Sequence, residues 1–498
     1  MKLLYTIVAL VSFVYAMEAQ EENRFLNRDF WKAKPSVTEI QEKIKEGHNP
    51  TEKNQFSFDG TSYAIIDNAP FESISYMLSL DGNPVTKKTH GGVTYLLWAA
   101  YMGNENLMKH LLSLGADPKS KTARGTNILL MAAIGGVDTP EVYDLILEQG
   151  VSLDYTSDNG ANALLLLSGA SLDDTSIFTY FINKKASIEV KDNDGNNVFF
   201  YAARGGDVNL MRFWIEKGVP FDYVNTKGEN AIGVASQGMR RRALRLETFD
   251  YLSNELGIAV DQINWKGETP LHFSARNGSP EVLDFLVSNG VSSRQINSDG
   301  NTALINAASG SLENLKKIMS YEHKLNHKNN DGNAALTMSI KRNKEENVAL
   351  LIAAGADVNI IDAKGNNLMY YAFKYYNSKK ENNGTGIIEK LEAAGLDGNG
   401  SYENQNTLAH IAIEKHSPAL LQKAIALGVN LNSRNEMNLT PLHLAAMKST
   451  NEELIILLID NGANKKLRTN YDESPYDLAA ENEILTNQSV NLSFLKID

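Results

Sequence analysis

Residues 438–466 read NLTPLHLAAMKSTNEELIILLIDNGANKK. Thr440 is a residue type that caps helix N-termini, and the proline after it suits the first turn of a helix. An alanine pair lies inside this first helix, where small side chains let neighbouring helices approach closely. A second run starts at Leu454 with apolar residues at helical spacing and ends at Gly462. The stretch therefore predicts a helix, a turn and a second helix.

The same pattern recurs along most of the chain. Turn-forming residues follow one another at intervals of 32 to 40 residues and predict thirteen units. They are Gly60, Gly92, Gly125, Gly160, Gly195, Gly228, Gly267, Gly300, Gly332, Gly365, Gln405, Asn438 and Asp472. Most of the glycines follow Asp, Asn or Lys, which favours a turn with a positive φ.

A helix start is predicted two residues after each of these positions. Twelve of the thirteen are N-cap residue types, and Ala334 is the exception. The twelve are Ser62, Thr94, Asn127, Asn162, Asn197, Asn230, Thr269, Thr302, Asn367, Thr407, Thr440 and Ser474.

These units resemble the ankyrin repeat. Two of them carry its Thr-Pro-Leu-His signature, as Thr269-Pro270-Leu271-His272 and Thr440-Pro441-Leu442-His443. The resemblance implies an all-α ankyrin-repeat solenoid of about thirteen helix-turn-helix units with β-hairpin-like turns. It also implies that the signature histidines are structural and hold the turns between repeats by hydrogen bonds.

The N-terminus predicts export. Lys2 precedes an apolar run of about 13 residues, too short to span a bilayer, and small residues follow it, so residues 1–16 are interpreted as a secretory signal peptide. A retained N-terminal anchor is the alternative. Residues 17–58 are expected to form a linker and a degenerate capping repeat, and 59–498 the repeat array, with residues from about 471 to 498 as its C-terminal cap. Without a lipobox cysteine, the expected location is the periplasm or the medium.

Composition excludes several classes of function. The 498 residues contain no cysteine, which excludes disulfides, thiolate zinc sites and a cysteine nucleophile. The formal net charge of −12 argues against nucleic-acid binding. No stable membrane insertion is expected after signal cleavage, and the oligomeric state stays open.

The sequence predicts no catalytic residue, no metal site and no cofactor. No Gly-Lys dipeptide of a phosphate-binding loop is present. His323 and His327 have the i,i+4 spacing of a metal pair, but no third ligand accompanies them.

A partner-binding column is predicted at the ninth and tenth positions after each turn residue. The resemblance implies that these positions line a concave groove that binds proteins. From Gly195 onward the column is basic although the chain is acidic, which suits an acidic protein segment. The selected residues are Tyr101, Met102, Arg204, Arg276, Lys341, Arg342, Lys374, Tyr375, Lys415 and Lys448.

The expected function is a non-enzymatic, exported scaffold that binds a protein partner. A secreted effector acting on host proteins has the same scaffold. An enzyme would need an active site in the two longest units, whose insertions contain Arg240–Arg245 and Ser378–Gly384.

Overall fold

The computed structural model describes residues 23–170, 172, 174–239, 243–322, 324–377, 385–488 and 490–496, and within them it contains helices and turns but no β-strand. The predicted signal peptide, the core of the arginine insertion at 240–242, His323 and the insertion at 378–384 lie outside the described residues. The all-α prediction is confirmed.

Thirteen helix pairs follow one another. The first helices of the pairs are Gly60–Ile66, Tyr95–Tyr101, Ile128–Gly135, Ala163–Ser168, Val198–Gly205, Ala231–Gln237, Pro270–Asn277, Ala303–Ala307, Ala335–Lys341, Leu368–Lys374, Leu408–Glu414, Pro441–Lys448 and Pro475–Glu481. The second helices are Phe71–Ser79, Glu105–Ser113, Pro140–Glu148, Ser176–Asn183, Val208–Glu216, Leu246–Asp250, Pro280–Ser288, Leu312–Tyr321, Glu345–Ala353, Gly386–Ala393, Pro418–Ala426, Glu453–Asp460 and Glu483–Asn487. A π-helical turn, Tyr251–Glu255, continues the sixth of these second helices.

The chain divides into two compact units. The first comprises residues up to Arg242 together with Asn254–Ile258, and the second comprises Ala243–Ser253 and the chain from Ala259 onward. Within each unit, every first helix packs against the first helix of the next repeat. The core of each unit is therefore the row of buried apolar side chains on these helices.

The first unit begins with shorter elements. They are the 3₁₀ turn Arg24–Leu26, the helix Arg28–Lys32 and the helix Val37–Lys45. The 3₁₀ turn and the helix Arg28–Lys32 pack against the first helix of repeat 1, and the helix Val37–Lys45 packs against its second helix. Phe25 and Trp31 are fully buried there. These elements cover the face of repeat 1 that no preceding repeat covers.

A hairpin turn precedes each first helix. The turn residue has a positive φ, between 58° and 84°, in all thirteen repeats. Asn329 illustrates the turn: Gly332 N donates to Asn329 O over 2.8 Å, and Asn329 N donates to Asn333 O over 2.9 Å. The side-chain oxygen of Asn329 accepts from the backbone amides of Asp331 and Asn333, so both the backbone and one side chain hold the turn.

The residue three places before the turn residue repeats this role in ten repeats. The ten are Asn54, Thr122, Asp192, Asn225, Asn264, Asn297, Asn329, Asp362, Asn435 and Thr469. This position is not among the predicted turn and cap residues, although short polar side chains at a fixed distance before the turns are a visible signal in the sequence.

The predicted turn of repeat 1 was wrong by three residues. Gly60 is the first residue of a helix, and Asp59 caps that helix by accepting from Ser62 N over 2.8 Å. Ser62 is therefore inside the helix and not its cap. The turn residue is Ser57, with a φ of 63°. The other eleven predicted caps and the exceptional Ala334 do occupy the N-cap position.

Glycine lets neighbouring first helices touch at their carboxyl ends. A Cβ built on Gly135 would lie 1.9 Å from the carbonyl oxygen of Tyr101 in the preceding repeat. The corresponding Cβ on Gly310 would lie 2.6 Å from the carbonyl oxygen of Arg276. The small residues at these column positions are therefore required by packing.

Replacing Gly135 with alanine should lower the free energy of unfolding by about 2 kcal/mol, because the added methyl group must push two packed helices apart. Helix propensity alone would predict the opposite effect, because alanine in place of a helical glycine raises the free energy of unfolding by about 1 kcal/mol. Urea unfolding of the Gly135→Ala variant measures the difference. Ile134→Ala is the control, since Ile134 is 47% exposed. A stabilised Gly135→Ala variant would contradict the packing explanation.

Candidate functional site

The structure places the ten predicted partner-binding residues at or just after the carboxyl ends of first helices. Arg276, Arg342, Lys415 and Lys448, all in the second unit, are exposed. The Tyr375 side chain is 38% exposed, and its ring stacks on Tyr371 with 6.2 Å between centroids. The other five residues are partly buried: Tyr101, Met102, Arg204, Lys341 and Lys374.

Three of the predicted cations are engaged within the protein. Arg204 Nε donates to the carbonyl oxygen of Gly238 over 3.1 Å. Lys374 Nζ lies 2.8 Å from Glu403 Oε2, and its ammonium also donates to the Tyr370 hydroxyl over 2.7 Å. Lys341 Nζ lies 4.4 Å from the centroid of the Tyr371 ring. The basic column is therefore less open to a partner than its sequence indicates.

The interaction of Lys374 with Glu403 perturbs both groups. Hydrogen bonds from Lys374, Tyr370 and Lys364 lower the pKa of the Glu403 carboxyl to about 2. Burial lowers the pKa of the Lys374 ammonium, but hydrogen bonds to Glu403 and Tyr370 outweigh it, so that this pKa is raised. Both groups are charged at neutral pH, and each neutralises the other.

One positional relationship decides which column cations are paired. Lys374 stands nine residues after the turn residue of repeat 10, and Glu403 stands two residues before the turn residue of repeat 11. For Lys341, the residue equivalent to Glu403 is Ala363. For Arg276 it is Ser298. Because neither of these residues is acidic, Lys341 and Arg276 lack the ion pair that Lys374 has.

The first unit presents aromatic rings near its predicted column residues. The Phe58 ring stacks on His90 at 4.5 Å and on Tyr63 at 5.2 Å between centroids. The Trp98 ring lies 5.8 Å from Phe58 and meets Tyr101 edge-on at 5.9 Å. These rings form one aromatic cluster in the first two repeats.

The signature residues lie at the starts of first helices. Thr269, Pro270, Leu271 and His272 begin the first helix of repeat 7, and Thr440, Pro441, Leu442 and His443 begin that of repeat 12. All eight residues are buried.

The histidine of each signature joins two repeats. His272 Nδ1 accepts from Thr269 N over 3.2 Å, so the ring carries its proton on Nε2. Nε2 lies 3.1 Å from the carbonyl oxygen of Asn301 in the next repeat. His410 makes the same pair of contacts, to Thr407 N and to the carbonyl oxygen of Leu439. Burial lowers the pKa of His272 and of His443, and it lowers the pKa of His410 to about 4.

No cluster suited to a metal ion occurs in the described part of the chain. Groups of three or more His, Asp or Glu side chains in ligating positions are absent from it. His327, whose i,i+4 spacing from His323 was noted in the sequence, lies with Nε2 2.9 Å from the carbonyl oxygen of Gly300. Among the described residues, no helix combines the length and apolar character that crossing a bilayer requires.

Comparison with known proteins identifies the repeats. A family model for ankyrin repeats in three copies matches residues 243–329 and 408–491, and one for a single ankyrin repeat matches 91–123. The chain contains ankyrin repeats.

Curated relatives match part of the chain. It is 24% identical over 279 residues to the transient receptor potential cation channel subfamily A member 1 homolog of Caenorhabditis elegans, which covers 56% of this chain and 19% of that protein. It is 26% identical over 192 residues to the mouse B-cell lymphoma 3 protein homolog, covering 37% of this chain and 41% of that protein. The matches therefore span less than half of either relative. The human ASB11 ankyrin repeat domain overlaps with a TM-score of 0.40 at 23% identity, over 46% of this chain and 99% of that one.

The buried histidines should make stability depend on pH. A histidine with a lowered pKa in the folded protein binds protons more readily when unfolded, so stability is full above about pH 6.5 and falls toward lower pH. For His410 the loss between pH 7.5 and pH 5 is on the order of 2 kcal/mol. Urea unfolding at both pH values should show a smaller loss for His410→Gln than for the unmodified protein. Equal losses would show that His410 is not held neutral.

Proposed function

We propose that this protein is a non-enzymatic, exported scaffold that binds a protein partner along the carboxyl ends of its first helices. The observation that carries the proposal is a row of exposed cations in the second unit. In the described structure, no carboxylate of the protein lies within ion-pair distance of these cations. The row consists of Arg276, Arg342, Lys415 and Lys448.

The charge of this row supports an acidic partner segment. The whole chain carries a formal net charge of −12, so four exposed cations at the ninth or tenth position after a turn residue stand out from an acidic background. Opposite charges across an interface raise the association rate and orient the partner. Exposed hairpin carboxylates such as Asp331 oppose the positive potential of the row, which limits its attraction for an acidic segment to short range.

Removing the four charges should weaken partner binding at least tenfold. The variant is Arg276→Gln, Arg342→Gln, Lys415→Gln and Lys448→Gln, and its free energy of unfolding should stay within about 1 kcal/mol because all four side chains are exposed. Binding is measured on the partner recovered with the full mature chain. The matched control removes four exposed lysines outside the column: Lys119, Lys185, Lys316 and Lys466. Equal binding by both variants would reject the column.

Export rests on residues 1–16 and is tested separately. The exported protein should begin at Met17, which N-terminal sequencing of the periplasmic or secreted fraction reads directly. Leu10→Arg interrupts the apolar run and should leave the chain inside the cell, whereas the exposed surface substitution Lys316→Gln should not. An intact N-terminus on exported protein would indicate the retained anchor. Retention of the unmodified chain inside the cell would reject export.

A further inference from the structure

A cavity of about 280 Å³ lies at the hairpins of repeats 9 to 11. This volume lies just below the roughly 300–1,000 Å³ of pockets that take drug-sized ligands, so the cavity has room for a side chain of a partner. Its lining combines three lysines, three tyrosines and three carboxylates. They are Lys341, Lys364, Lys374, Tyr370, Tyr371, Tyr375, Asp331, Asp362 and Glu403.

Among the described residues, only one of the three carboxylates forms ion pairs. Glu403 accepts from two lysines, Lys374 at 2.8 Å and Lys364 at 3.2 Å. Asp362 is occupied differently, because the Tyr371 hydroxyl, the Asn366 side-chain amide and backbone amides all donate to it. The lysines of the cavity therefore have more hydrogen-bond donors than the protein itself uses.

Lys341 differs from the other two lysines of the cavity because its charge has no carboxylate partner among the described residues. Among the described residues, no carboxylate lies within the 4.0 Å of an ion pair from its ammonium. Lys341 Nζ donates to Asn333 Oδ1 over 3.0 Å and lies over the Tyr371 ring. An ammonium has three donors, so two remain for a ligand. Partial burial lowers the pKa of Lys341, while the more distant charges of Asp331 and Asp362 act in the opposite direction.

We propose that Lys341 binds one carboxylate of an acidic partner segment, seated in this cavity beside Tyr371 and Tyr375. The inference rests on the proposed function and assigns the contact to one residue. The carboxylate would lie relative to Lys341 as Glu403 lies relative to Lys374. In repeat 10 the residue equivalent to Glu403 is Ala363, which has no carboxylate. Tyr375, 38% exposed, offers a ring against which the rest of the side chain packs.

The sharpest test restores the missing internal partner. Ala363 is exposed, so Ala363→Glu should fold normally and place a carboxylate near Lys341. The probe is a fluorescein-labelled N-acetyl-tetraglutamate amide, and its affinity for the full mature chain is measured by fluorescence anisotropy at low salt. Ala363→Glu should weaken binding at least tenfold and Ala363→Gln less than threefold. Lys341→Met should match Ala363→Glu, and Lys316→Met should match the unmodified protein.

Competition distinguishes the source of the carboxylate. An unlabelled tetraglutamate peptide should displace the probe, whereas tetraglutamine and free acetate at the same carboxylate concentration should not. Displacement by acetate at that concentration would overturn the assignment to a peptide segment.

The outcomes separate this inference from the proposed function. If the four-cation variant weakens binding and neither Ala363→Glu nor Lys341→Met does, the column stands and the Lys341 site is rejected. If the unmodified chain does not prefer glutamate over glutamine, both the site and the acidic-partner proposal fail. If the unmodified chain nevertheless binds a partner through the column, it does so by interactions other than recognition of carboxylates.

Discussion

The whole structure depends on burial that no single repeat can achieve alone. A pair of helices of five to ten residues each has too little surface to enclose a core, so neighbouring first helices within each unit cover one another. Ile128, Leu129 and Leu130 are fully buried in this way, and each such side chain contributes roughly 1.5–3 kcal/mol. Close approach is then obligatory, which is why Gly135 faces a backbone carbonyl and why the turns before the helices must keep a regular geometry.

Stacking also decides the chemistry of the surface. Because successive repeats are in register within a unit, a residue late in one first helix faces the hairpin of the next repeat. Lys374 forms an ion pair with Glu403 through this relationship. For Lys341, the residue at the position equivalent to Glu403 is Ala363. The charge of a column residue is therefore insufficient to judge its availability; the residue that faces it from the next repeat must be known as well.

Most of the fold was predictable from the sequence, because the period, the caps and the turn residues are local signals. The first turn was not, since Asp59-Gly60 has the composition of a turn while the positive φ belongs to Ser57, a residue type without that preference. Tyr370, Tyr371 and Glu403 of the cavity were also missed. They lie in different repeats, and their proximity follows from how one hairpin faces the preceding helix, which no single unit of the sequence reveals.

In the second unit, burial has opposite consequences for the buried histidines and the partly buried lysines. His410 is satisfied on both ring nitrogens, so burial stabilises one neutral form and the residue has no capacity left for a ligand. Lys341 is partly buried with one hydrogen bond and an aromatic ring, and its charge is not matched by direct contact. A charge that is partly removed from water gains more from a new partner than an exposed one does, because less hydration is lost when the partner binds. For this reason a partly buried cation with spare donors is a stronger anchor for a carboxylate than the four exposed cations of the row.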